Sequence, residues 1–323
     1  MQFYHRSAIA SAVSLDHAAL EAVEKGFAAL GRGDVIQPPI LSLDIPASNG
    51  EVDIKTAYIE GTSSFAIKVS SGFFDNPAKG LPSGNGLMLV LSAETGVVEA
   101  ILADEGYLTE IRTALAGAIA ARHLSRADSR RVALIGAGRQ AELQLEALQL
   151  VRPIKHVAIW ARDYGKAQQL AQSLGKRFGL QTEAHKELAT TCENADIIVT
   201  ATPSRRPLLY KKFLPHGVHI TAMGSDSPFK RELDVDVLMH ADSVVVDSLS
   251  QSHSSGELKD LTQQQLRHLP MALGNIVNGS ESGRHAATDI TVCDLTGTGV
   301  QDTAIALFAL QRLSPGPLGS PTL

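Results

Sequence analysis

The stretch Arg131-Val132-Ala133-Leu134-Ile135-Gly136-Ala137-Gly138-Arg139-Gln140-Ala141 restricts the fold of this chain more than any other of similar length. Its first residues are β-branched or apolar and suit a short buried strand, and helix-forming residues run on from Arg139. Between them stands G-x-G-x-x-A. Gly136 permits the tight turn, Gly138 lets a backbone approach a pyrophosphate, and Ala141 keeps the helix close to its sheet. Phosphates would then meet the free N–H groups and dipole of the helix N-terminus. The expected ligand is NAD(H) or NADP(H). A glycine-rich strand–helix turn without ligand remains open at this point, as does a module that holds a nucleotide without chemistry.

The surrounding rhythm supports a parallel sheet. Candidate strands at 132–135, 157–160, 196–200, 218–223 and 243–246 alternate with helical stretches, clearest at 139–150 and 165–178. The chain before residue 125 has a different pattern. Residues 15–30 read as an amphipathic helix with Asp16 as N-cap, followed by short strands at 51–60, 64–70, 87–91 and 97–102. In the first strand Val52, Ile54, Thr56 and Tyr58 share one face and Lys55 the other; in the second Phe65, Ile67 and Val69 oppose Ala66, Lys68 and Ser70. A helix at 109–124 leads to a polar joint at 125–131, and a last helix at 301–313 precedes a Pro-, Gly- and Ser-rich tail, 314–323, expected to be disordered.

A formal net charge of −5 in 323 residues, with no basic stripe, argues against nucleic acid as a partner. Two cysteines, Cys192 and Cys293, make no disulfide framework and no zinc spacing, and read as buried free thiols. The start lacks a signal-peptide core and no run of 18 apolar residues occurs, so a cytoplasmic protein without membrane contact is expected.

Several polar residues stand out against this frame. The strand at 157–160 ends in Ala161-Arg162-Asp163. Arg162 would meet a 2′-phosphate, which favours NADP(H), although Asp163 could turn back to a ribose and Arg162 could be a solvated charge. Lys68 lies on the polar side of an otherwise apolar strand, and Arg112 sits in the first turn of a helix. A cation there opposes the helix dipole unless an anion is shared between them, and Arg can hold a carboxylate bidentately. Each is also readable as a surface charge. Met223-Gly224-Ser225-Asp226-Ser227-Pro228 follows a candidate parallel strand, where ligands of such sheets bind, and Asp226 could move protons at a substrate nitrogen. It could equally cap the next helix or close a turn.

Taken in order, AIKVSSGFFDNPAKGLPSGNGLMLVLSAETG, LADEGYLTEIRTALAGAIAARHLS, VALIGAGRQA, AMGSDSPFKREL and DLTGTGVQDTA resemble the ornithine cyclodeaminase/μ-crystallin family over nearly the whole chain. GFFDNP…GLPSGNGLM, with Leu249-Ser250-Gln251 and Gly256-Glu257-Leu258, is similar to its ectoine-utilisation and iminosuccinate-reductase branch. The resemblance implies an α/β protein whose Rossmann doubly wound domain (127–298) is inserted into an N-terminal α/β substrate and dimerisation domain (1–126 with 299–323). It implies a homodimer and a small amino or imino acid as substrate; with no zinc spacing in the sequence, no metal is expected. Lys68 and Arg112 fall on carboxylate-binding positions and Asp226 on the acid/base aspartate of the cyclodeaminases, with Lys68 a further proton donor. Cofactor contacts fall to Gly136, Gly138, Arg139, Gln140, Arg162, Thr113, Met223 and Ser225, while Ser83 and Asn85 are pocket helpers. Lys55 or Arg139 would suit a second carboxylate, as in iminosuccinate. Asn275 stands where the family usually carries an acid. The implied activity is hydride transfer at the α-carbon, as an NAD(P)H-dependent imine reductase or amino-acid dehydrogenase. An ornithine-type cyclodeaminase with bound NAD is the first alternative, and a nucleotide-dependent small-ligand binder the second.

Overall fold

The computed structural model describes residues 1–314, so of the tail expected to be disordered only Ser314 lies within the described residues. The chain folds as two compact units, Met1–Thr113 with the chain from Thr298 onward, and Ala114–Gly297. The division falls inside a helix, upstream of the polar joint at 125–131.

The first unit opens with β1 (Gln2–His5), α1 (Arg6–Ala12) and α2 (His17–Arg32). Strands β2 (Val35–Ile36), β3 (Leu41–Ile45), β4 (Gly50–Ile59), β5 (Ser64–Phe73), β6 (Gly84–Ser92) and β7 (Val98–Ala103) follow, then α3 (Tyr107–Leu124). The second unit continues through β8 (Arg131–Ile135), α4 (Arg139–Leu148), β9 (His156–Trp160), α5 (Tyr164–Phe178), β10 (Gln181–Ala184) and α6 (Leu188–Cys192). Beyond these come β11 (Ile197–Thr200), β12 (His219–Ala222), α7 (Val235–His240), β13 (Ser243–Val246) and α8 (Leu249–Ser254). Finally β14 (Met271–Ala272), α9 (Leu273–Val277) and β15 (Thr291–Asp294) precede α10 (Gly299–Leu313), which belongs to the first unit.

In the first unit one sheet runs β1-β7-β6-β5-β4-β2, with β3 also on β4. All pairings are antiparallel except β1 on β7. Helix α2 starts as its sequence suggests: the Asp16 carboxylate accepts the Ala19 N–H at 2.8 Å. The sheet itself holds a reversal. Alternation usually turns the apolar face inward, yet here Lys55, Ala57 and Ile59 of β4 and Ser64, Ala66 and Lys68 of β5 are the buried residues. The more apolar face, with Val52, Ile54, Tyr58, Phe65, Ile67 and Val69, is only half-buried. The reason is α10, which packs on β4 and β5. Gly299 lies so close to the Thr56 carbonyl that a Cβ would collide with it. Thr303 donates to the Ala57 carbonyl at 2.7 Å and accepts the Ala66 N–H at 3.1 Å. Small residues on that face let the helix approach, and its acid meets the lysines.

The second unit is the parallel doubly wound sheet of a Rossmann-type domain, in the order β10-β9-β8-β11-β12-β15-β13-β14. Strands β11, β12, β13 and β15 are buried at every residue, as expected of strands covered on both faces. Three strands of this unit, β10, β14 and β15, escape the sequence reading. Edge strand β10 (QTEA) is polar, and β15 (TVCD) is a short run whose place between β12 and β13 depends on long-range pairing. Cys192 and Cys293 are free and buried. Among the described residues no helix is long and apolar enough to cross a membrane.

Candidate active site

In the first unit, Lys55 and Lys68 are direct cross-strand partners on the buried face of β4 and β5. Like charges opposed in this way destabilise a sheet unless anions compensate. Asp302, from the first turn of α10, is one such anion. Its two carboxylate oxygens lie 3.0 and 2.9 Å from Lys68 Nζ, and Oδ1 lies 2.9 Å from Arg112 Nε. Arg112 Nη1 also donates to Gln301 Oε1 at 3.1 Å. Lys55 stands 3.9 Å from Asp53 Oδ2. All three cations and Asp302 are buried.

Their ionisation follows from that burial. Desolvation, with the nearby Arg112 charge second, lowers Lys68 to about 7, and Asp302 acts in the opposite direction. Burial disfavours the charge on Asp302, but Arg112 and Lys68 outweigh it and hold its carboxyl below the usual range. Asp104, buried just before α3, is pushed up by burial to about 6 even though it accepts the Leu108 N–H at 2.7 Å. Helix α3 begins at Tyr107, so Arg112 is its sixth residue and lies past the first turn where the sequence placed it; the chain itself supplies acids here, Asp302 on the guanidinium and Asp104 at the helix start. A lysine titrating near neutrality can give or take a proton, and a site that gathers Lys55, Lys68 and Arg112 suits an incoming carboxylate. Thr113 follows Arg112 on α3, while Ser83 and Asn85 are exposed and the Asn85 side chain accepts the Gly86 N–H at 2.7 Å.

In the second unit, Gly136 follows β8 with φ +130°, and a Cβ there would stand 2.6 Å from the Ala201 carbonyl oxygen. Gly138 is the N-cap of α4, offers no side chain to it, and has open space to 4 Å around its absent Cβ. The turn therefore presents a bare helix N-terminus beside β8, which fits a dinucleotide pyrophosphate. Arg139 pairs with Glu142 at 2.9 Å, and Gln140 follows it in the first turn. Arg162 is exposed beyond β9. Asp163 is the N-cap of α5, accepting the N–H groups of Gly165 at 2.9 Å and Lys166 at 3.3 Å. Met223 receives a hydrogen bond on sulfur from Gln144. Ser225 is buried and its hydroxyl donates to the Lys230 carbonyl at 2.8 Å, so it holds its own turn. Asp226 is 42% exposed and 2.7 Å from Lys230 Nζ.

Sequence reasoning misses Asp302, Gln301 and Asp104. An acid in the first turn of a helix reads as a dipole partner, and Asp302 lies 234 residues from Lys68. No local signal joins them.

A doubly wound parallel sheet with a G-x-G-x-x-A turn, joined in one chain to an antiparallel-rich sheet bearing buried lysines, defines a Rossmann-type two-unit α/β protein. The model of the ornithine cyclodeaminase/mu-crystallin family matches residues 2–316, and the chain belongs to that family. An uncharacterized cyclodeaminase of Sinorhizobium fredii is 49% identical over 312 residues, 95% of this chain and 94% of that protein. The Thermococcus litoralis Delta(1)-pyrroline-2-carboxylate reductase, solved with NADH and L-proline, superposes with a TM-score of 0.90 at 27% identity, covering 97% of each chain. The iminosuccinate reductase of Paracoccus denitrificans, solved with NAD+, gives 0.87 at 28% identity over 97% of this chain and 96% of that one.

Proposed function

We propose that this chain is a nicotinamide-nucleotide-dependent oxidoreductase that reduces small 2-imino acids to amino acids. The observation that carries the reading is the buried Lys68–Asp302–Arg112 cluster, with a lysine titrating near 7, in a chain that also bears a dinucleotide turn. The first unit would be the substrate unit and the second the nucleotide unit. Gly136, Gly138 and the N-terminus of α4 would hold the pyrophosphate, with Gln140, Met223 and Thr113 further contacts. When bound, the nucleotide supplies or accepts the hydride at the α-carbon. Arg112 holds the substrate carboxylate. Lys68 shares that carboxylate and, with Asp226 as the second acid–base group, serves to deliver a proton to the imine nitrogen, which makes the carbon more electrophilic.

Lys55 extends the reading to substrate class. Asp302 answers Lys68 and Arg112 together, and Lys55 faces Lys68 across the strands. A second substrate carboxylate would suit the positive charge that Lys55 and Lys68 gather on this face, so a dicarboxylic imino acid such as iminosuccinate is the proposed substrate. Arg162, with Asp163 engaged as a helix cap, supports NADP(H) over NAD(H). A screen of pyruvate, oxaloacetate and cyclic imines with ammonia, run separately with NADH and NADPH, tests all three statements. Oxaloacetate with ammonia should give the fastest oxidation, and NADPH the lower KM. Lys55→Met should reduce that substrate preference by roughly 10–100-fold, the worth of one charge-assisted contact. Silence across the whole panel with both nucleotides would sink the reading.

Asp226 favours a second reading, because an accessible carboxylate at this turn suits activation of an attacking amine. Ammonia released from ornithine, with the nucleotide needed only in catalytic amount, would select a cyclodeaminase instead.

We also infer a homodimer formed by the half-buried apolar face of the first sheet. Ile36, Pro38, Tyr58 and Phe65 line an apolar groove there, and exposed Leu41 and Leu43 extend the apolar surface. Light scattering should give twice the 34.3 kDa chain mass, and Ile67→Glu should return a monomer. A monomeric wild type would refute this.

A further inference from the structure

The stretch Gly256-Glu257-Leu258-Lys259 has no role in the chemistry above, yet both of its charged side chains are bound to the turn that carries Asp226. Glu257 is fully buried; its Oε1 accepts the Glu232 N–H at 2.8 Å and its Oε2 the Leu233 N–H at 3.3 Å. Lys259 Nζ donates to the Lys230 carbonyl, to Ser225 Oγ at 3.2 Å and to the Gly256 carbonyl at 3.1 Å. Behind Glu257, its own N–H is held by Asp294 Oδ2 at 2.9 Å. The far end of the turn is therefore tied at residues 230, 232 and 233.

Glu232 ties the near end. Its Oε1 accepts the N–H and hydroxyl of Thr202 at 2.7 and 2.6 Å, and its Oε2 accepts the Thr200 hydroxyl and the Gly224 N–H, both at 2.7 Å. Burial pushes this carboxyl up to about 7, and four donors rather than a cation are what these hydrogen bonds set against the desolvation. A Cβ at Gly224 would collide with the Thr202 carbonyl, so the two segments touch without intervening side chains. Segment 200–202 also packs against Gly136, whose absent Cβ would lie 2.6 Å from the Ala201 carbonyl. One carboxylate thus links the end of β11, the floor of the dinucleotide turn and the turn after β12.

We propose that Glu232 is a positioning residue that locks the Asp226 turn to the 200–202 segment, with Glu257 and Lys259 as its braces. The proposal rests on the reading of Asp226 as the acid–base group, and it acts through main-chain placement, since none of the three side chains need touch substrate. A carboxylate accepts at both oxygens, whereas an amide accepts at one and donates at the other. Glu232→Gln therefore leaves either the Gly224 or the Thr202 N–H facing another donor.

Hydrogen exchange followed by mass spectrometry, with parallel kinetics, tests this on the full chain. In Glu232→Gln, amides in 200–205 and 223–230 should exchange about tenfold faster while the other strands of the sheet keep their protection. Turnover should fall by roughly 10–100-fold with KM for the imino acid changed less than about threefold, the signature of a misplaced group rather than lost binding. Lys259→Met should reproduce the effect in 223–230 alone, and Lys259→Arg should restore it; this pair decides the matter if Glu232→Gln does not fold. Unchanged exchange in these segments, or faster exchange spread evenly over the second unit, overturns the proposal. Asp226→Asn separates the two readings: full turnover in that variant removes the acid–base role, while the brace is still judged by exchange, which Asp226→Asn should leave unaltered.

Discussion

Lys68→Met should lower kcat/KM for imino-acid reduction by on the order of 10²–10⁴-fold while leaving a folded protein. Methionine is similarly long and unbranched, so it fills the space left by a side chain that is 1% exposed. Stability should hold or rise, because a desolvated ammonium is removed and Asp302 keeps Arg112 as its partner. A variant that loses activity together with its fold would not support a chemical role. The pH dependence supplies an independent check. Lys68 is lowered to about 7 by burial and then by Arg112, and only its protonated form can donate to the imine nitrogen. Reduction should therefore decline as pH rises through about 7. Lys68→Arg, which stays protonated throughout, should abolish that decline at whatever activity it retains. An alkaline limb that persists unchanged in the arginine variant would assign it to another group.

Asp302→Asn should produce the other large effect, this time on stability and pH profile together. Removing one partner from a buried ion-paired set leaves uncompensated charge and costs about 3–5 kcal/mol. Thermal midpoints should fall by roughly 2–4 °C per kcal/mol lost, as for a domain of this size range. Asp302 is also what raises Lys68 against burial and Arg112. Without it Lys68 should lose its proton at lower pH, so the decline in reduction should move to the acid side. A saturating amino-acid product should restore part of the lost midpoint, since its carboxylate would take the place of the missing one. A variant as stable as the parent, with the same pH profile, would show that Asp302 does not govern the cluster.

These two expectations differ in how far the sequence foreshadows them. Lys68 and Arg112 are visible as cations in unusual places, one on a strand of apolar residues and one close to the start of a helix. Asp302 is visible only as an acid in a helix start, where acids are common. The cluster unites residues from β5, α3 and α10, and no spacing rule links positions so far apart. Glu232 is similar: it stands eight residues beyond Gly224 in the same run, but the donors at Thr200 and Thr202 come from another strand end.

What the sequence determined by itself was whatever depends on neighbours along the chain. The strand, glycine turn and helix at 131–148, the Asp16 cap of α2 and the strand–helix rhythm of the second unit all follow from local sterics and periodicity. Alternation in β4 and β5 likewise told which residues share a face. It could not tell which face is covered, because that depends on what arrives to cover it. The covering helix is α10, more than two hundred residues away in sequence, and its Gly299, Thr303 and Asp302 suit the face that carries the lysines. Only the tertiary structure decided that Lys55 and Lys68 point inward, and burial in turn moves Lys68 to about 7, where a proton can be exchanged near neutral pH.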